Sequence, residues 1–224
     1  MDNDVNSYLS RMRQASRRAE YREKGTEGEK AVKAVLMSLQ DINSVILYSS
    51  FEYPYSSNRE GKNYTGNIFF REGKYTEMTD KKGLHDEIDL LYITSYRIFV
   101  IEVKSYHARK LRAYDHWFNR DGIPLEKSPI AQAEKHARML YHAIHEYIPN
   151  GDPKYIIPMC VFVDRCTFID DRSANMKKYL PCTILNNFKK TIISLNQPLD
   201  FLIDLDSLRQ RLKNIKRSEE VIGG

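Results

Sequence analysis

Two apolar runs separated by a short turn, within residues 85–106, place the strongest constraint on the fold. The runs Glu87–Thr94 and Arg97–Ser105 are rich in β-branched and aromatic residues, which favours two strands joined as a hairpin. The second run is apolar on both of its alternating faces until Glu102, as in a strand covered on both sides of a sheet. The sequence therefore predicts a buried hairpin near the centre of a sheet.

Charged side chains follow where the apolar part of the second strand ends. Glu102 and Lys104 share one face of that strand, and Asp89 on the first strand can reach them if its face matches. Regular alternation places Asp89 on the same face as Glu87. The opposite face of the first strand then carries three apolar residues: Ile88, Leu90 and Tyr92. Buried charges are costly unless they meet each other, a metal or a substrate, so these charges are predicted to converge.

Two carboxylates and a lysine suit the hydrolysis of a phosphodiester bond. Carboxylate oxygens are ligands that Mg2+ prefers, together with waters and phosphate oxygens. Such a metal lowers the pKa of a bound water, while Lys104 positions the water and stabilises the developing negative charge. A Glu-x-Lys tripeptide by itself more often forms a surface ion pair. The strand context alone leaves both interpretations open.

Apolar residues at helical spacing predict helices on either side of the hairpin in sequence. Gly25 is expected to end an N-terminal helix, and Thr26 to cap the next one with Glu29 as its capping-box partner. Ser128 and Pro129 are expected to open a helix as a cap followed by a first-turn proline. A C-terminal helix carries four apolar residues at helical spacing: Leu205, Leu208, Leu212 and Ile215.

The remaining patterns predict further strands and one long loop. Strands are expected at Ser44–Phe51 and Lys154–Val163, with a shorter one around Thr183–Leu185. The stretch Tyr106–Lys127 is expected to be a loop. With the helices, this order predicts an α/β fold with a mixed sheet.

Four segments, in this order, resemble the nuclease-related domain (NERD) family of the PD-(D/E)XK nuclease superfamily. They are GTEGEKAVKAVL (Gly25–Leu36), DEIDLLYIT (Asp86–Thr94), IFVIEVKSY (Ile98–Tyr106) and SPIAQAEKHARML (Ser128–Leu140). The similarity runs from about Gly25 to Val163. It implies a restriction-endonuclease-like fold, in which helices flank a mixed central sheet, and Mg2+-dependent cleavage of DNA, with Mn2+ able to substitute.

The resemblance also implies a role for each of five residues. Asp89 and Glu102 would be metal ligands, and Lys104 would be the catalytic lysine. Glu29 would be an auxiliary acid close to the metal, and Gln132 would orient water or substrate. By position alone, Glu29 borders the buried stripe of its helix, which fits this role and the helix-cap role equally well.

Two further polar side chains near this set stay undecided on the sequence. His136 lies one helical turn after Gln132, and such residues are more often boundary residues with satisfied hydrogen bonds than bases or ligands. Glu87 can join the metal site from the face of Asp89, or pair with a lysine outside it.

The chain of 224 residues can form one sizeable core with modest additions. Residues 1–24 are predicted to be a basic helical extension, and 186–224 a C-terminal helical extension. Residues 25–185 are the predicted nuclease domain, with 52–86 as an insertion because that stretch is polar and rich in Tyr, Gly, Asn and Lys.

Composition restricts the location and the partners. No apolar run reaches the roughly 18–20 residues that span a bilayer, and the N-terminus lacks the apolar core of a signal peptide. Three cysteines without C-x-x-C spacing indicate neither a disulfide framework nor a zinc site, so a cytoplasmic location is expected. The net charge of +5 permits a polyanionic partner. DNA is the expected partner, and a homo-oligomer is compatible with the sequence.

Two other functions stay open on the sequence. The first is a nucleic-acid-binding or partner-binding module that keeps the nuclease fold with little catalysis. The second is an RNA nuclease that uses the same site.

Overall fold

The computed structural model describes most of the chain from Gly25 onward. The described residues are 25–39, 45–54, 85–105, 110–113, 117–118, 122–124, 128–163, 167–215 and 220–222. The extension predicted for residues 1–24 and most of the insertion predicted for 52–86 lie outside these ranges.

The described residues form nine strands. In chain order they are β1 (Val45–Pro54), β2 (His85–Thr94), β3 (Ile98–Ser105), β4 (Lys110–Ala113), β5 (Trp117–Phe118), β6 (Ile156–Val163), β7 (Thr167–Asp170), β8 (Cys182–Ile184) and β9 (Glu220–Ile222). Six of them form the central sheet in the order β8-β6-β3-β2-β1-β9, and the other three form a small sheet in the order β5-β4-β7.

The described residues also form five α-helices. Residues 25–37 are helical and are called α1. The others are α2 (Ala131–Ile144), α3 (Ala174–Tyr179), α4 (Leu185–Leu195) and α5 (Leu205–Ile215). Three short 3₁₀ helices follow α2: His145–Tyr147, Pro149–Gly151 and Pro153–Tyr155.

The predicted hairpin lies in the middle of the central sheet. Strands β2 and β3 pair antiparallel, and β3 pairs parallel with β6, which pairs parallel with β8. Strands β1 and β9 extend the other side in antiparallel pairs. The sheet is therefore mixed, and helices flank it, which confirms the predicted α/β fold.

Helices cover both faces of the central sheet because β3 and its neighbours are apolar on both faces. On one face, α2 and α5 form the α2-side cluster, which includes Ile46, Tyr48, Phe51, Ile88, Val100 and Leu140. On the other, α1 and α4 form the α1-side cluster, which includes Val32, Leu36, Leu47, Leu90, Phe99 and Ile101. The first five residues of β3 are buried and the last three are half-buried, so burial decreases toward the end of the strand.

The predicted alternation along β2 is wrong at Asp89. Ile88 packs in the α2-side cluster, whereas Leu90 packs in the α1-side cluster, although residues two apart in a regular strand share a face. The paired strand β1 is irregular at the same level, because Ser50 has a positive φ of 54°. In both strands, the regular alternation of side chains between the two faces of the sheet is therefore interrupted at this level. Asp89 does not take the orientation that strict alternation gives it.

Two predictions about helix starts are also wrong. Gly25 is already helical, so Thr26 lies inside α1 and cannot be its N-cap. Helix α2 begins at Ala131 with Ile130 as its N-cap and has no side-chain cap. Ser128 lies in the preceding turn instead, where its carbonyl oxygen accepts a hydrogen bond of 3.1 Å from the amide of Ala131.

The stretch Tyr106–Lys127 is not wholly a loop, because it contains β4 and β5. Strand β4 pairs parallel with β7, which follows much later in the chain. This small sheet packs against the start of α2 and the end of β6 through Trp117, Ala133 and Phe162. Short strands with such a distant partner lack a local pattern that predicts them.

Candidate active site

Glu102 and Lys104 lie at the end of β3 on the face covered by α2. The Glu102 side chain is 3% exposed and that of Lys104 is 25% exposed. The Nζ atom of Lys104 donates hydrogen bonds to Oε1 of Glu102 and, at 3.0 Å, to Oε1 of Gln132. Burial acts to lower the pKa of Lys104, but the charge of Glu102 and their hydrogen bond outweigh it, and the pKa is raised. Lys104 is therefore a cation held between two acceptors.

Asp89 joins this group at the point where β2 and β3 separate. The ladder between these strands ends at the pair of Leu90 and Ile101. Beyond it, Oδ2 of Asp89 accepts a hydrogen bond of 2.8 Å from the backbone amide of Val103. Strand β3 then continues beside β6 alone. This separation of the strands, which we call the strand fork (Asp89 and Val103), brings Asp89 next to Glu102.

Glu29 approaches the strand fork from the other side of the sheet, on α1. Gly28 allows the approach, because a Cβ atom there would lie 2.6 Å from Cγ2 of Val163 and 3.5 Å from Cγ1 of Val103. Among the described residues, no hydrogen bond or ion pair joins Glu29 to the other predicted site residues. The charge of Asp89 nevertheless acts on Glu29, and the charge of Glu29 acts on Glu102, so Glu29 lies at the margin of the site.

Three acidic side chains thus share this end of the sheet, and burial raises the pKa of each. Burial, reinforced by repulsion from Asp89 and opposed by Lys104, raises the pKa of Glu102 to about 8. Burial and repulsion from Asp89 and Glu87 raise the pKa of Glu29 to about 7. Burial also raises the pKa of Asp89, although a backbone hydrogen bond and the charge of Lys104 oppose it. This end of the sheet therefore favours a cation that would relieve the repulsion.

The five residues of the predicted set thus take different positions. Glu102, Lys104 and Gln132 are in direct contact, Asp89 lies beside them at the strand fork, and Glu29 lies at the margin. Glu87, which the sequence left undecided, is exposed at the start of β2 and acts on Glu29 and Asp89 through its charge.

His136, which the sequence favoured as a boundary residue, is buried against Glu102. Its Nδ1 atom lies 3.8 Å from Oε2 of Glu102, and both side chains are buried. Its spacing from Gln132, one helical turn along α2, was the available signal, because residues four apart lie on the same face of a helix. Gly28 was not singled out by any sequence pattern, and its missing side chain permits the close approach of α1.

The donor set fits a hard divalent cation that keeps most of its waters. Among the residues that the structure describes, no group of three or more His, Cys, Asp or Glu side chains is arranged to hold a metal. Mg2+ needs only one or two carboxylates, because waters and phosphate oxygens complete its shell. The Oε2 atom of Glu102 is buried and accepts no hydrogen bond from any described residue. Asp89 and Glu102 therefore fit Mg2+ as a carboxylate pair.

The mixed sheet with helices on both faces is consistent with a nuclease-like fold, and these groups lie at the end of its central strand β3. The comparison with known families agrees. The sequence model of the nuclease-related domain family matches residues 24–163, which is more than half of the chain. The chain therefore belongs to the nuclease-related domain family, which indicates a nuclease-related function. No curated protein and no solved structure matches it.

Within the part of the chain that the structure describes, no helix has both the length and the apolar character needed to cross a membrane.

Proposed function

We propose that this chain is a metal-dependent nuclease that hydrolyses phosphodiester bonds of DNA, with Mg2+ as the metal and Mn2+ able to replace it. One observation carries the proposal. Glu102 is buried, its Oε2 atom accepts no hydrogen bond from the described residues, and Asp89 lies beside it. A buried carboxylate with an unused oxygen is costly unless a cation meets it.

Asp89 and Glu102 would hold the metal, and Glu29 would act as an auxiliary acid at the margin of the site. When bound, Mg2+ lowers the pKa of a coordinated water and neutralises charge on the phosphate. The strand fork keeps Asp89 in place, because its Oδ2 atom is already fixed by the amide of Val103. Both ligands therefore come from rigid strands, which is the arrangement that a precise site needs.

Lys104 supplies the positive charge that the reaction needs on the protein side. Its ammonium group donates to Glu102 and Gln132, so the side chain is held while a quarter of it stays accessible. In this position it would orient the attacking water and stabilise the negative charge that develops on the phosphate oxygens. Gln132 would restrain Lys104 and, through it, orient the water.

The test is a cleavage assay on labelled plasmid, single-stranded DNA and RNA, each with Mg2+, Mn2+ or EDTA. The wild-type protein should cleave DNA with either metal and not with EDTA. Glu102→Gln and Lys104→Ala should each lose cleavage, on the order of 100-fold or more, because each removes a charge that acts in the transition state. RNA cleavage in place of DNA cleavage would identify the site as a ribonuclease site instead.

Two control variants make the same kinds of change at exposed positions outside the predicted site. Glu146→Gln changes an exposed glutamate just after α2, and Lys213→Ala changes an exposed lysine on α5. Both should cleave like the wild-type protein. Cleavage that persists in both Glu102→Gln and Lys104→Ala contradicts the proposal. Salt-dependent DNA binding by a folded wild-type protein that never cleaves would instead identify a binding module.

A further inference from the structure

His136 faces Glu102 from the middle of the buried side of α2. The imidazole is 2% exposed and the Glu102 side chain 3% exposed, and Nδ1 of His136 lies 3.8 Å from Oε2 of Glu102. This distance exceeds the range of about 2.7–3.2 Å for a hydrogen bond, so the two atoms face each other without forming one in this structure. Catalytic hydrogen bonds are often long before metal and substrate bind, and they shorten in the complex.

The two oxygens of Glu102 have different surroundings. Oε1 accepts the hydrogen bond from Lys104, whereas Oε2 faces His136 and accepts no hydrogen bond from the described residues. A carboxylate that is held by one oxygen can still rotate about its last bond. A second donor at Oε2 would fix its plane.

Helix α2 meets both charged residues of β3 through side chains one turn apart. Gln132 accepts the hydrogen bond from Lys104, and His136 lies against Glu102. Residues four apart on a helix project from the same face, so one rigid element positions both members of the pair. Ala133 and Ala137, which flank this stripe, are fully buried and hold the helix close to the sheet.

We propose that His136 is a positioning residue whose Nδ1–H donates to one lone-pair site of Oε2 of Glu102 and sets the orientation of this carboxylate, which leaves the other lone-pair site of Oε2 for the metal. The inference rests on the proposed nuclease function. It assigns His136 no contact with the metal or with DNA. Removal of a hydrogen-bond donor that orients a metal ligand without touching the metal typically lowers metal affinity or activity by about 10–100-fold.

The first test compares two substitutions of His136 that differ in the donor. His136→Leu removes the donor from the buried position, and His136→Asn places an amide N–H near the position of Nδ1. His136→Leu should weaken Mn2+ binding, measured by calorimetry, by about 10–100-fold and lower kcat, while KM for DNA stays unchanged. His136→Asn should recover most of the affinity. His145→Leu, at an exposed position just after α2, should behave like the wild-type protein.

The second test detects the proton on Nδ1 of His136 directly and requires neither bound metal nor cleavage activity. Nitrogen-15 spectra of the imidazole in the wild-type protein, recorded above the pKa of about 8 of Glu102 so that this carboxylate is ionised, should show a protonated Nδ1 on His136. An unprotonated Nδ1 overturns the inference whatever the cleavage assay shows. This measurement also decides the matter if His136→Leu fails to fold.

The outcomes separate this inference from the proposed function. If the wild-type protein cleaves DNA while His136→Leu binds Mn2+ and cleaves equally well, the positioning role is wrong and the nuclease function stands. Equal impairment of folded His136→Leu and His136→Asn also overturns the positioning role, because the donor then has no effect. A wild-type protein that neither binds Mn2+ nor cleaves overturns both.

Discussion

The Oδ2 atom of Asp89 accepts a hydrogen bond of 2.8 Å from the backbone amide of Val103, at the point where the ladder between β2 and β3 has ended. The side chain thus accepts a hydrogen bond from a backbone amide of β3 that β2 no longer pairs with. The same contact holds the carboxylate beside Glu102. Asp89 therefore has a structural role that is independent of its charge, and a role in the proposed metal site that depends on it.

Substitution of Asp89 should separate these two roles. Asp89→Asn keeps an oxygen for the Val103 amide and should change the free energy of unfolding by less than about 1 kcal/mol. It should nevertheless lower Mn2+ affinity and cleavage by more than about 100-fold. Loss of a hydrogen-bond partner of a metal ligand already costs about 10–100-fold, and Asp89 is a proposed ligand itself. Asp89→Ala should also lose about 1–3 kcal/mol of stability, because the amide is left without its acceptor. Urea unfolding beside the cleavage assay measures both effects. Equal destabilisation by the two substitutions would contradict the structural role.

Without metal, the stability of the protein should fall as the pH rises. The pKa of Glu102 is raised from 4.5 to about 8 and that of Glu29 from 4.5 to about 7. Below a pH of about 4.5 the groups are protonated in both states and contribute nothing. Between about 4.5 and 8 the unfolded chain loses these protons while the folded protein keeps them, so the free energy of unfolding decreases, by several kcal/mol from Glu102. Above about 8 this contribution is constant.

Thermal unfolding in EDTA over this pH window measures the effect, with each kcal/mol corresponding to about 2–4 °C. Glu102→Gln cannot ionise at this position and should give a flatter pH profile. Mg2+ should stabilise the wild-type protein more at high pH than at low pH, because metal binding requires the deprotonated carboxylates and releases their protons. A wild-type profile as flat as that of Glu102→Gln would contradict the raised pKa.

The central strands could be predicted because their burial is a local property of the sequence. Residues 98–101 are buried in the structure, as their continuous apolar character indicated, and burial extends to the charged Glu102 before it decreases at Val103. The same kind of pattern gave the order of the elements that correspond to α1, β1, β2, β3, α2, β6, β8 and α5. The site could be approached in the same way, because Glu102 and Lys104 are two residues apart on a single strand and must share a face.

Features that depend on a second element could not be predicted. The change of face at Asp89 occurs together with the positive φ of Ser50 on the paired strand. The distance of His136 from Glu102 depends on how α2 is rotated against the sheet, and a periodic pattern fixes this rotation only roughly. The pairing of β4 with β7 joins segments that are far apart in sequence.

The backbone of Ser50 offers a test of the face change. A non-glycine residue at positive φ costs about 1–3 kcal/mol, and a β-branched residue is the least tolerated there. Ser50→Val should therefore lower the free energy of unfolding by about 1–3 kcal/mol, whereas Ser50→Gly should leave it unchanged or raise it slightly. Ser49→Val is the matched control, because Ser49 pairs regularly with Leu90 and valine favours strands. Urea unfolding that ranks Ser50→Val at or above the wild-type protein would contradict this backbone conformation.

Two glycines of α1 should respond in opposite directions to alanine. At Gly25 nothing lies within 4 Å of an added Cβ, so Gly25→Ala should raise the free energy of unfolding by up to about 1 kcal/mol through helix propensity. At Gly28 the Cβ would lie 2.6 Å from Cγ2 of Val163, and a branched side chain in the sheet cannot easily move away. Gly28→Ala should therefore destabilise by about 1–3 kcal/mol, as overpacked cores do.

A double substitution tests whether the close approach of α1 to β6 causes the destabilisation expected for Gly28→Ala. Val163→Ala removes the methyl group that the new Cβ would meet, so Gly28→Ala should cost less in the Val163→Ala background than in the wild-type protein. Equal costs in the two backgrounds would mean that this contact does not limit the approach. Because Glu29 follows Gly28 directly on α1, Gly28→Ala alone should displace it from the strand fork and reduce cleavage, and the double variant should recover part of that loss.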